Sequence, residues 1–319
     1  MQTRLGVGAD MVGRCRHEGL VFFEASQIIT QSLVKVILES KSLQSFNSHD
    51  VNQTKDMKLT KEDMLRTKTV ELSEKLRVEK KHYVEQSREK GASLWLSALP
   101  IASQSYILNK REFRDSICLS YGWKLDGVPS FCACGQNNDL DYALRCSRMG
   151  YVHLRHNHLR DIIGQLLVDA KCRDVVIEPP LMTVNPEGYK NSTNTQPEAR
   201  LDIAATGVYS TFERTFFHVR VTHPSCYPHI QKTIPQLYRE QEEGKKRFYE
   251  ELAIQSEKGS FIPLVFTTSG GYGPLCRGLV QKLARRIAEA KNELYEDLVY
   301  HLRVRIRYIC TPKEHIFGS

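Results

Sequence analysis

An acidic residue and a polar pair occupy two predicted strands on either side of a turn. In the first strand, alternation separates Asp202 from Leu201 and Ile203, which share the other face. In the second strand, His218 and Arg220 are spaced i, i+2 and share one face. The opposite face is apolar and carries Phe217, Val219 and Val221. An acid beside such a pair could hold a divalent metal next to a cation for phosphodiester hydrolysis. The alternative is a surface hairpin.

Several segments resemble the restriction-endonuclease-like domain that follows the reverse transcriptase in some non-long-terminal-repeat retrotransposons. They are ARLDIAA, FERTFFHVRV and FIPLVFTTSGG, and the similarity extends upstream through RHNHLRD, LNKREFRDSICLSYGW and GASLWLSALPI, covering residues 91–306. The resemblance implies a PD-(D/E)XK nuclease core, in which carboxylates hold Mg²⁺ or Mn²⁺ for DNA cleavage. It places Asp202, His218 and Arg220 in that site. Glu178 matches an acidic family position and could add a carboxylate, although a glutamate at a strand end is more often simply exposed.

Position 218 departs from the family pattern, because this chain has His218 where the family carries an acid. Hard cations take oxygen ligands, and an imidazole supplies neither the oxygen nor the negative charge. We therefore expect Mg²⁺ or Mn²⁺ binding at Asp202 to be weak or lost and cleavage to be impaired. Arg220 stands where most of the superfamily has a lysine, and its fixed charge can still stabilise a phosphate.

The segment FCACGQNNDLDYALRC has the chemistry of a zinc site. Cys132 and Cys134 lie in a loop that turns at a glycine, and Cys146 returns after a short helical segment, so three thiolates could surround one Zn²⁺. The resemblance implies a Cys-x-Cys, His, Cys knuckle with Tyr142 at the histidine position. His156 is the first substitute for the fourth ligand, because the family also has a histidine in RHNHLRD. The further substitutes are His153, His158 and a bound water. The alternative is three free thiols without a metal.

The composition is that of an ordinary globular chain with a modest positive charge. The 319 residues include 45 Lys and Arg against 37 Asp and Glu, and the formal charge of +8 favours DNA or RNA as a partner. Nine cysteines, most of them scattered, favour a reducing compartment, so we expect an intracellular protein of the nucleus or cytoplasm. No apolar run approaches the ~20 residues of a spanning helix, so no membrane partner is expected. The oligomeric state is left open.

The elements that must position these residues follow from periodicity. Apolar residues after Asn157 recur at helical spacing, a short strand follows at 175–177, and the hairpin comes next. A charged helix from Pro235 to about Ile254, the strand FIPLVFTT and a helix from Pro274 to Lys291 complete the pattern. The order of helix, three strands, helix, strand, helix is that of the PD-(D/E)XK fold. We therefore predict an α/β fold of the α+β mixed type, with helices on a small mixed sheet.

The pattern divides the chain into four segments. They are a loosely structured leader at 1–25, a helical region at 26–124, the cysteine-rich knuckle-like segment at 125–152 and the endonuclease-like domain at 153–319. The closing HLRVRIRYIC fits a strand or a helix, and we predict a helix. Four basic residues are candidate contacts for a nucleic-acid backbone, with a solvated helix face as the alternative. They are Lys245 and Lys246 in the charged helix and Arg303 and Arg307 in the closing segment.

Three functions follow from the sequence as alternatives. The first is a retrotransposon-derived, endonuclease-like protein with an impaired metal site. The second is a non-catalytic nucleic-acid-binding protein, and the third is a decayed element fragment. None of them is a working reverse transcriptase, because the acidic polymerase motif does not occur in this chain. Convergence of Glu178, Asp202 and Glu213 with Arg220 would favour cleavage, whereas a single acid would favour binding alone.

Overall fold

A computed structural model describes residues 78–89, 94–97, 107–125, 127–149, 151–180 and 200–310, with a few further positions between 63 and 92. The chain divides into two units, Met1–Arg77 and Val78–Ser319, and the structure reported below is that of the second. The predicted leader, residues 1–25, lies outside the described residues, as does most of the predicted helical region before residue 78.

The described part of the second unit contains helices and strands in the following order. They are α1 (Val78–Arg88), α2 (Leu94–Ser97), α3 (Lys110–Tyr121), α4 (Leu140–Ala143), α5 (Tyr151–Asp169), β1 (Arg173–Ile177), β2 (Ile203–Thr206), β3 (Arg214–Thr222), α6 (Ile234–Glu257), β4 (Ser260–Thr267), α7 (Pro274–Lys291) and α8 (Tyr295–Cys310). A short 3₁₀ turn, Ser147–Met149, separates α4 from α5.

The four strands form one mixed sheet in the order β1, β2, β3, β4. β1, β2 and β3 are an antiparallel meander, and β4 pairs with β3 in parallel. A parallel neighbour requires a crossover, which α6 provides between β3 and β4. The predicted mixed α/β class and the predicted order of elements from α5 to α7 are confirmed. The closing segment is the helix α8, as predicted.

Alternation along β3 sends its side chains to two apolar clusters, one on each side of the sheet. Phe217 and Val219 belong to the main core, together with buried residues of α5, α7 and α8. Phe216 belongs to a smaller cluster that includes Phe261 of β4 and Ala253 of α6. His218 and Arg220 therefore lie on the side of the sheet that α6 covers, as their spacing predicted.

The start of β2 differs from the prediction that Leu201 and Ile203 share a face. Ile203 lies in the main core, whereas Leu201 lies in the smaller cluster on the other side of the sheet. The physical reason is a bend at Asp202, which comes immediately before the strand and interrupts the alternation. The bend also leaves the Asp202 carboxylate at the end of the strand, where it can reach groups on both β3 and α5.

Helix α6 begins with a capping box that is readable in the sequence. The Thr233 side chain accepts from the amide of Gln236, the Gln236 side chain accepts from the amide of Thr233, and Pro235 stands in the first turn. These contacts fix the entry of the helix whose middle turns face the sheet. Within the described residues, no helix combines the length and the apolar character needed to cross a bilayer.

Candidate functional site

Pairing of β2 with β3 brings Asp202 into contact with His218. Ile203 pairs with Phe217, and the amide of Asp202 donates to the carbonyl of Phe217 at 3.1 Å. Oδ2 of Asp202 then lies 3.0 Å from Nδ1 of His218 and accepts a 2.6 Å hydrogen bond from the amide of Val219. The two residues that the sequence placed on facing strands thus meet at the end of β2.

Helix α5 adds His156, the residue that the sequence assigned to the zinc site. Its Nε2 atom lies 3.4 Å from Oδ1 of Asp202 and 3.2 Å from the carbonyl oxygen of Val219. The expectation that His156 is the fourth zinc ligand is therefore not met. The reason is the rigid geometry of α5, which carries this ring to the sheet although His156 follows Cys146 closely in sequence. We call Asp202, His156 and His218, with the neighbouring Lys245 and Arg220, the Asp202 site.

Asp202, His156 and His218 interact electrostatically, and these interactions shift the pKa values of Asp202 and His156. Burial would raise the pKa of Asp202, but hydrogen bonds and charges from His156 and His218 outweigh burial and hold that pKa well below its usual range. The hydrogen bond to Asp202 in turn raises the pKa of His156, against the opposing effect of burial. Asp202 is therefore an anion at neutral pH, and His156 is biased towards its cationic form.

Helix α6 closes the site from the other side with Lys245 and Tyr249. The Tyr249 ring packs on His218 with centroids 4.9 Å apart, and Nζ of Lys245 lies 5.3 Å from the centroid of the same tyrosine ring. Burial lowers the pKa of Lys245, the charge of Arg220 lowers it further, and Asp202 opposes both. Two positive charges thus accompany one carboxylate. Tyr249 was not among the residues predicted from the sequence, although its i, i+4 spacing from Lys245 could have indicated it.

The other acidic candidates do not join Asp202. The amide of Glu178 donates to the carbonyl of Asp202 at 2.9 Å, but the Glu178 carboxylate is directed to Arg160 of α5 and pairs with it. Glu213 lies by the turn between β2 and β3, where its carbonyl accepts from the amide of Gly207 at 3.1 Å. The predicted contribution of Glu178 as a second metal carboxylate is therefore not met.

A hard divalent metal does not fit this arrangement. The Asp202 oxygens already face the amide of Val219 and the imidazoles of His156 and His218. Mg²⁺ is usually bound through one or two carboxylates that are free to coordinate it, together with waters and phosphate oxygens, and here the one carboxylate is engaged and has the cationic Lys245 and Arg220 nearby. Within the described residues, the group of potential metal ligands whose atoms all lie within 4.8 Å of one another is the cysteine cluster, which lies elsewhere.

The cysteine cluster, Cys132, Cys134 and Cys146, is formed by a tight turn followed by the short helix α4. The amide of Cys132 donates to the carbonyl of Gln136 at 2.9 Å, and the turn between them contains Gly135 with φ +84, a conformation that favours glycine. The Sγ atoms of Cys132 and Cys146 are 3.4 Å apart, and those of Cys134 and Cys146 are 3.8 Å apart. The three cysteines are free thiols.

This spacing fits a zinc ion. Sulfur ligands held tetrahedrally about 2.3 Å from Zn²⁺ are about 3.8 Å apart, close to the distances found here. The cluster could thus hold a metal such as zinc without large movement. Oη of Tyr142 lies 2.8 Å from Sγ of Cys134, and this hydrogen bond lowers the pKa of Cys134 to about 7. The tyrosine therefore lies beside the thiols, at the position for which the resemblance implies a histidine.

Two lysines predicted to contact nucleic acid have different surroundings. Lys245 belongs to the Asp202 site, as described above. The neighbouring Lys246 lies close enough to Glu242 for its charge to lower the pKa of that carboxyl, although burial, the larger effect, raises it. The predicted basic pair therefore divides, with one lysine beside Asp202 and the other beside an acidic side chain of the same helix.

The two arginines of α8 also differ. Arg303 is half-buried, and its Nε lies 3.4 Å from the hydroxyl of Tyr272. Arg307 is only 6% exposed and donates to Oγ of Ser120 on α3 at 2.7 Å. The prediction that Arg307 contacts nucleic acid is wrong, because packing of α8 against neighbouring elements buries its guanidinium among protein groups. The arginine spacing of this helix does not create one exposed basic stripe.

No protein-family model matches the chain, and no curated protein matches it. The described structure nevertheless presents two clusters with distinct chemistry. The cysteine cluster offers three soft ligands to a metal ion. The Asp202 site offers cationic groups around a single carboxylate that already accepts hydrogen bonds.

Proposed function

We propose that the chain is a nucleic-acid-binding protein on a PD-(D/E)XK-type scaffold, and that its Asp202 site holds the phosphodiester backbone without a divalent metal. The observation that carries this proposal is the balance of charge. One carboxylate faces the imidazoles of His218 on β3 and His156 on α5, with Lys245 and Arg220 beside it. Cationic and hydrogen-bonding groups of this kind attract phosphate, whereas a hard divalent cation needs a carboxylate that is free to bind it and is repelled by cationic neighbours.

The order of the elements supports a nuclease-type scaffold. An antiparallel meander followed by a helical crossover to a parallel fourth strand agrees with the core that the resemblance implies. Asp202 at the start of β2 and position 218 on β3 meet where that core would carry two metal-binding acids. Replacement of one acid by histidine converts such a pair into a close Asp-His contact of ion-pair distance. We therefore propose that the Asp202 site is a former metal site, which keeps its place in the fold and has lost its affinity for hard cations.

Binding by the zinc-loaded chain in a buffer without Mg²⁺ or Mn²⁺ tests this proposal. A labelled DNA duplex titrated with the full chain over a range of salt concentrations should bind without added metal, and affinity should fall as salt rises. Lys245→Met should weaken binding and reduce the slope of log affinity against log salt by about one. The physical reason is the loss of one phosphate-facing charge from the Asp202 site.

Lys282→Met is the matched control for this substitution. Nζ of Lys282 lies 4.9 Å from the centroid of the Tyr209 ring, so the two lysines share the same kind of aromatic contact. Tyr209 lies between β2 and β3, at the far end of β2 from Asp202. Binding that requires Mg²⁺, or an equal loss in both lysine variants, would contradict the proposal.

Residual metal-dependent cleavage is the second candidate function. It is favoured by one observation, the direct contact between Asp202 and position 218 at 3.0 Å. A single substitution at position 218 would place two carboxylates on adjacent strands. Nicking of supercoiled plasmid by the wild-type chain in Mg²⁺ or Mn²⁺, lost in Asp202→Asn, would distinguish this candidate from binding alone.

A further inference from the structure

Phe248 lies on α6 beside the Asp202 site and is 65% exposed. Single exposed apolar residues are common, so exposure alone has no functional meaning. The surroundings of this ring are more specific. Lys245 precedes it by three residues on the same helix, and residues three apart on a helix are surface neighbours.

The Phe248 ring is held in place by a chain of aromatic contacts that leads to Asp202. Phe248 packs edge-on against Tyr249, with centroids 4.7 Å apart and planes inclined by 71°. Tyr249 packs in turn on His218 at 4.9 Å and on Phe261 at 5.7 Å. The exposed ring is thus supported by a partly buried one, and it needs little ordering to serve as a stacking surface.

Gly244 leaves open space one helical turn before Phe248. Apart from its chain neighbours and the backbone of its own helix, a Cβ atom added at this glycine would meet no atom of the described residues within 4 Å. Long side chains on a helix lean back over the preceding turn, and position 244 contributes no side chain to that side of Phe248. Glycine is among the least favourable residues in a helix interior, and nothing in the packing at position 244 requires one.

We propose that Gly244 and Phe248 form a shelf on which one unpaired nucleic-acid base stacks, while Lys245 contacts the adjoining phosphate. This inference rests on the proposed function. It adds that the nucleic acid bound at the Asp202 site is single-stranded or locally unpaired. Base stacking on aromatic rings tolerates any sequence, since every base has a π face. The recognised feature is a single-stranded or locally unpaired segment.

A duplex cannot use the shelf in the same way. The faces of paired bases are covered by their neighbours in the stack, so the Phe248 ring can reach only the outside of the helix. The phosphate contact of Lys245 is available to both forms. Removal of the shelf should therefore reduce binding of single strands, whereas removal of the lysine should reduce binding of both.

The experiment compares a fluorescein-labelled single-stranded DNA with the matching duplex, each titrated with the zinc-loaded full chain in a buffer without Mg²⁺ or Mn²⁺. Phe248→Ala should weaken single-strand binding roughly 5- to 150-fold, the range expected for one stacked base, and change duplex binding by about twofold or less. Gly244→Leu should have the same direction of effect, because leucine fills the open space beside the ring. The leucine should also raise the thermal midpoint of unfolding, which separates lost binding from lost folding.

Two control variants match these changes elsewhere in the protein. Gly278→Leu replaces a helical glycine of α7 that also has open space around it, and Phe212→Ala removes a ring that is 86% exposed between β2 and β3. Both controls should leave the affinities for single strand and duplex within about twofold of wild type. Equal losses on the two probes, or no loss in Phe248→Ala and Gly244→Leu, would overturn the shelf while leaving the proposed function intact. Failure of the wild-type chain to bind either probe would overturn both proposals.

Discussion

The cysteine cluster and the Asp202 site differ in how strongly their potential metal-ligand atoms already interact with other groups of the protein. The side-chain contacts of the cluster thiols are with one another and with the Tyr142 hydroxyl, and hydrogen bonds of thiols are weak. The Asp202 carboxylate receives a backbone amide and two imidazoles. A metal would therefore add strong bonds at the cysteines, whereas at Asp202 it would have to replace existing ones.

The difference also concerns ligand type. Thiolates suit a borderline-soft ion such as Zn²⁺, and three of them at near-tetrahedral spacing form most of a site. One carboxylate beside cationic groups lacks the negative charge that compensates a hard divalent ion. The same chain thus combines a cluster that could hold a metal with a site for which we propose phosphate binding, and substitutions can convert or abolish each in turn.

The largest expected effect is loss of zinc from the cysteine cluster. Cys146→Ser removes the sulfur that contacts both other thiols, so we expect bound zinc to fall from about one equivalent to none, with affinity reduced more than about a hundredfold. Metal analysis of purified protein and competition with a chelator measure this. Cys172→Ser is the control, since Cys172 lies outside the cluster beside Arg286.

A zinc-free wild-type chain that also fails to take up added zinc would contradict this account of the cluster. Retention of zinc by the Cys146→Ser variant would do the same, because it would place the ion elsewhere. Tyr142→His provides a complementary check, since it supplies a nitrogen ligand where the hydroxyl now approaches Cys134. That variant should hold zinc at least as tightly as wild type.

The next largest expected effect is a gain of metal affinity at the Asp202 site. His218→Asp should raise affinity for Mg²⁺ or Mn²⁺ about tenfold or more, because it places a second carboxylate beside Asp202 and removes an imidazole that occupies Oδ2. Calorimetric titration measures the affinity, and nicking of supercoiled plasmid measures any cleavage that the repaired site supports. Arg220→Ala in the repaired background should reduce the nicking.

His218→Asn is the matched control, because asparagine has nearly the same shape as aspartate and no charge. The double variant His218→Asp/Asp202→Asn should lose the gain in metal affinity. If His218→Asp binds metal no better than His218→Asn, position 218 is not the lost metal ligand, and the comparison between the two sites must be explained without it.

Much of the sheet could be predicted because β3 alternates so regularly. The faces of Phe217, Val219, His218 and Arg220 follow from their spacing alone, and the neighbouring strand then brings Asp202 next to position 218. The order of helices and strands follows from periodicity in the same way. Local pattern therefore sufficed wherever one face of an element is buried and the other is not.

Long-range choices between partners could not be predicted. His156 is near the cysteines in sequence, yet the direction of α5 brings it to Asp202, and that direction depends on packing of the whole helix. Arg307 has the spacing of a surface residue relative to Arg303, yet α3 supplies Ser120 as a buried partner. Sequence spacing defines the faces of an element, and tertiary packing decides which of them is exposed.

The smallest effect is a dependence of nucleic-acid binding on pH. The hydrogen bond to Asp202 raises the pKa of His156 above its ordinary value of 6.5, so the ring keeps its positive charge to higher pH than an isolated histidine. Duplex affinity should fall roughly two- to fivefold as pH rises through this raised pKa, because a cation facing the phosphate is lost. His156→Gln should flatten the profile, whereas His153→Gln, an exposed histidine on the same helix, should not.

The free energy of unfolding should depend on pH in two opposite ways, one set by His156 and the other by Asp202. The folded pKa of His156 is raised, so its contribution to stability is full below the ordinary value of 6.5 and is lost as pH rises through the folded pKa. The folded pKa of Asp202 is lowered, so its contribution is present above the ordinary value of 3.8 and is lost as pH falls through the folded pKa. The two contributions overlap between those ordinary values, and His156→Gln should cost about 1 kcal/mol there after allowance for solvent screening. Thermal unfolding of wild type, His156→Gln and His153→Gln from pH 4 to pH 9 measures the cost. An equal cost of His156→Gln at pH 9 would show that the histidine acts by packing and not through its charge.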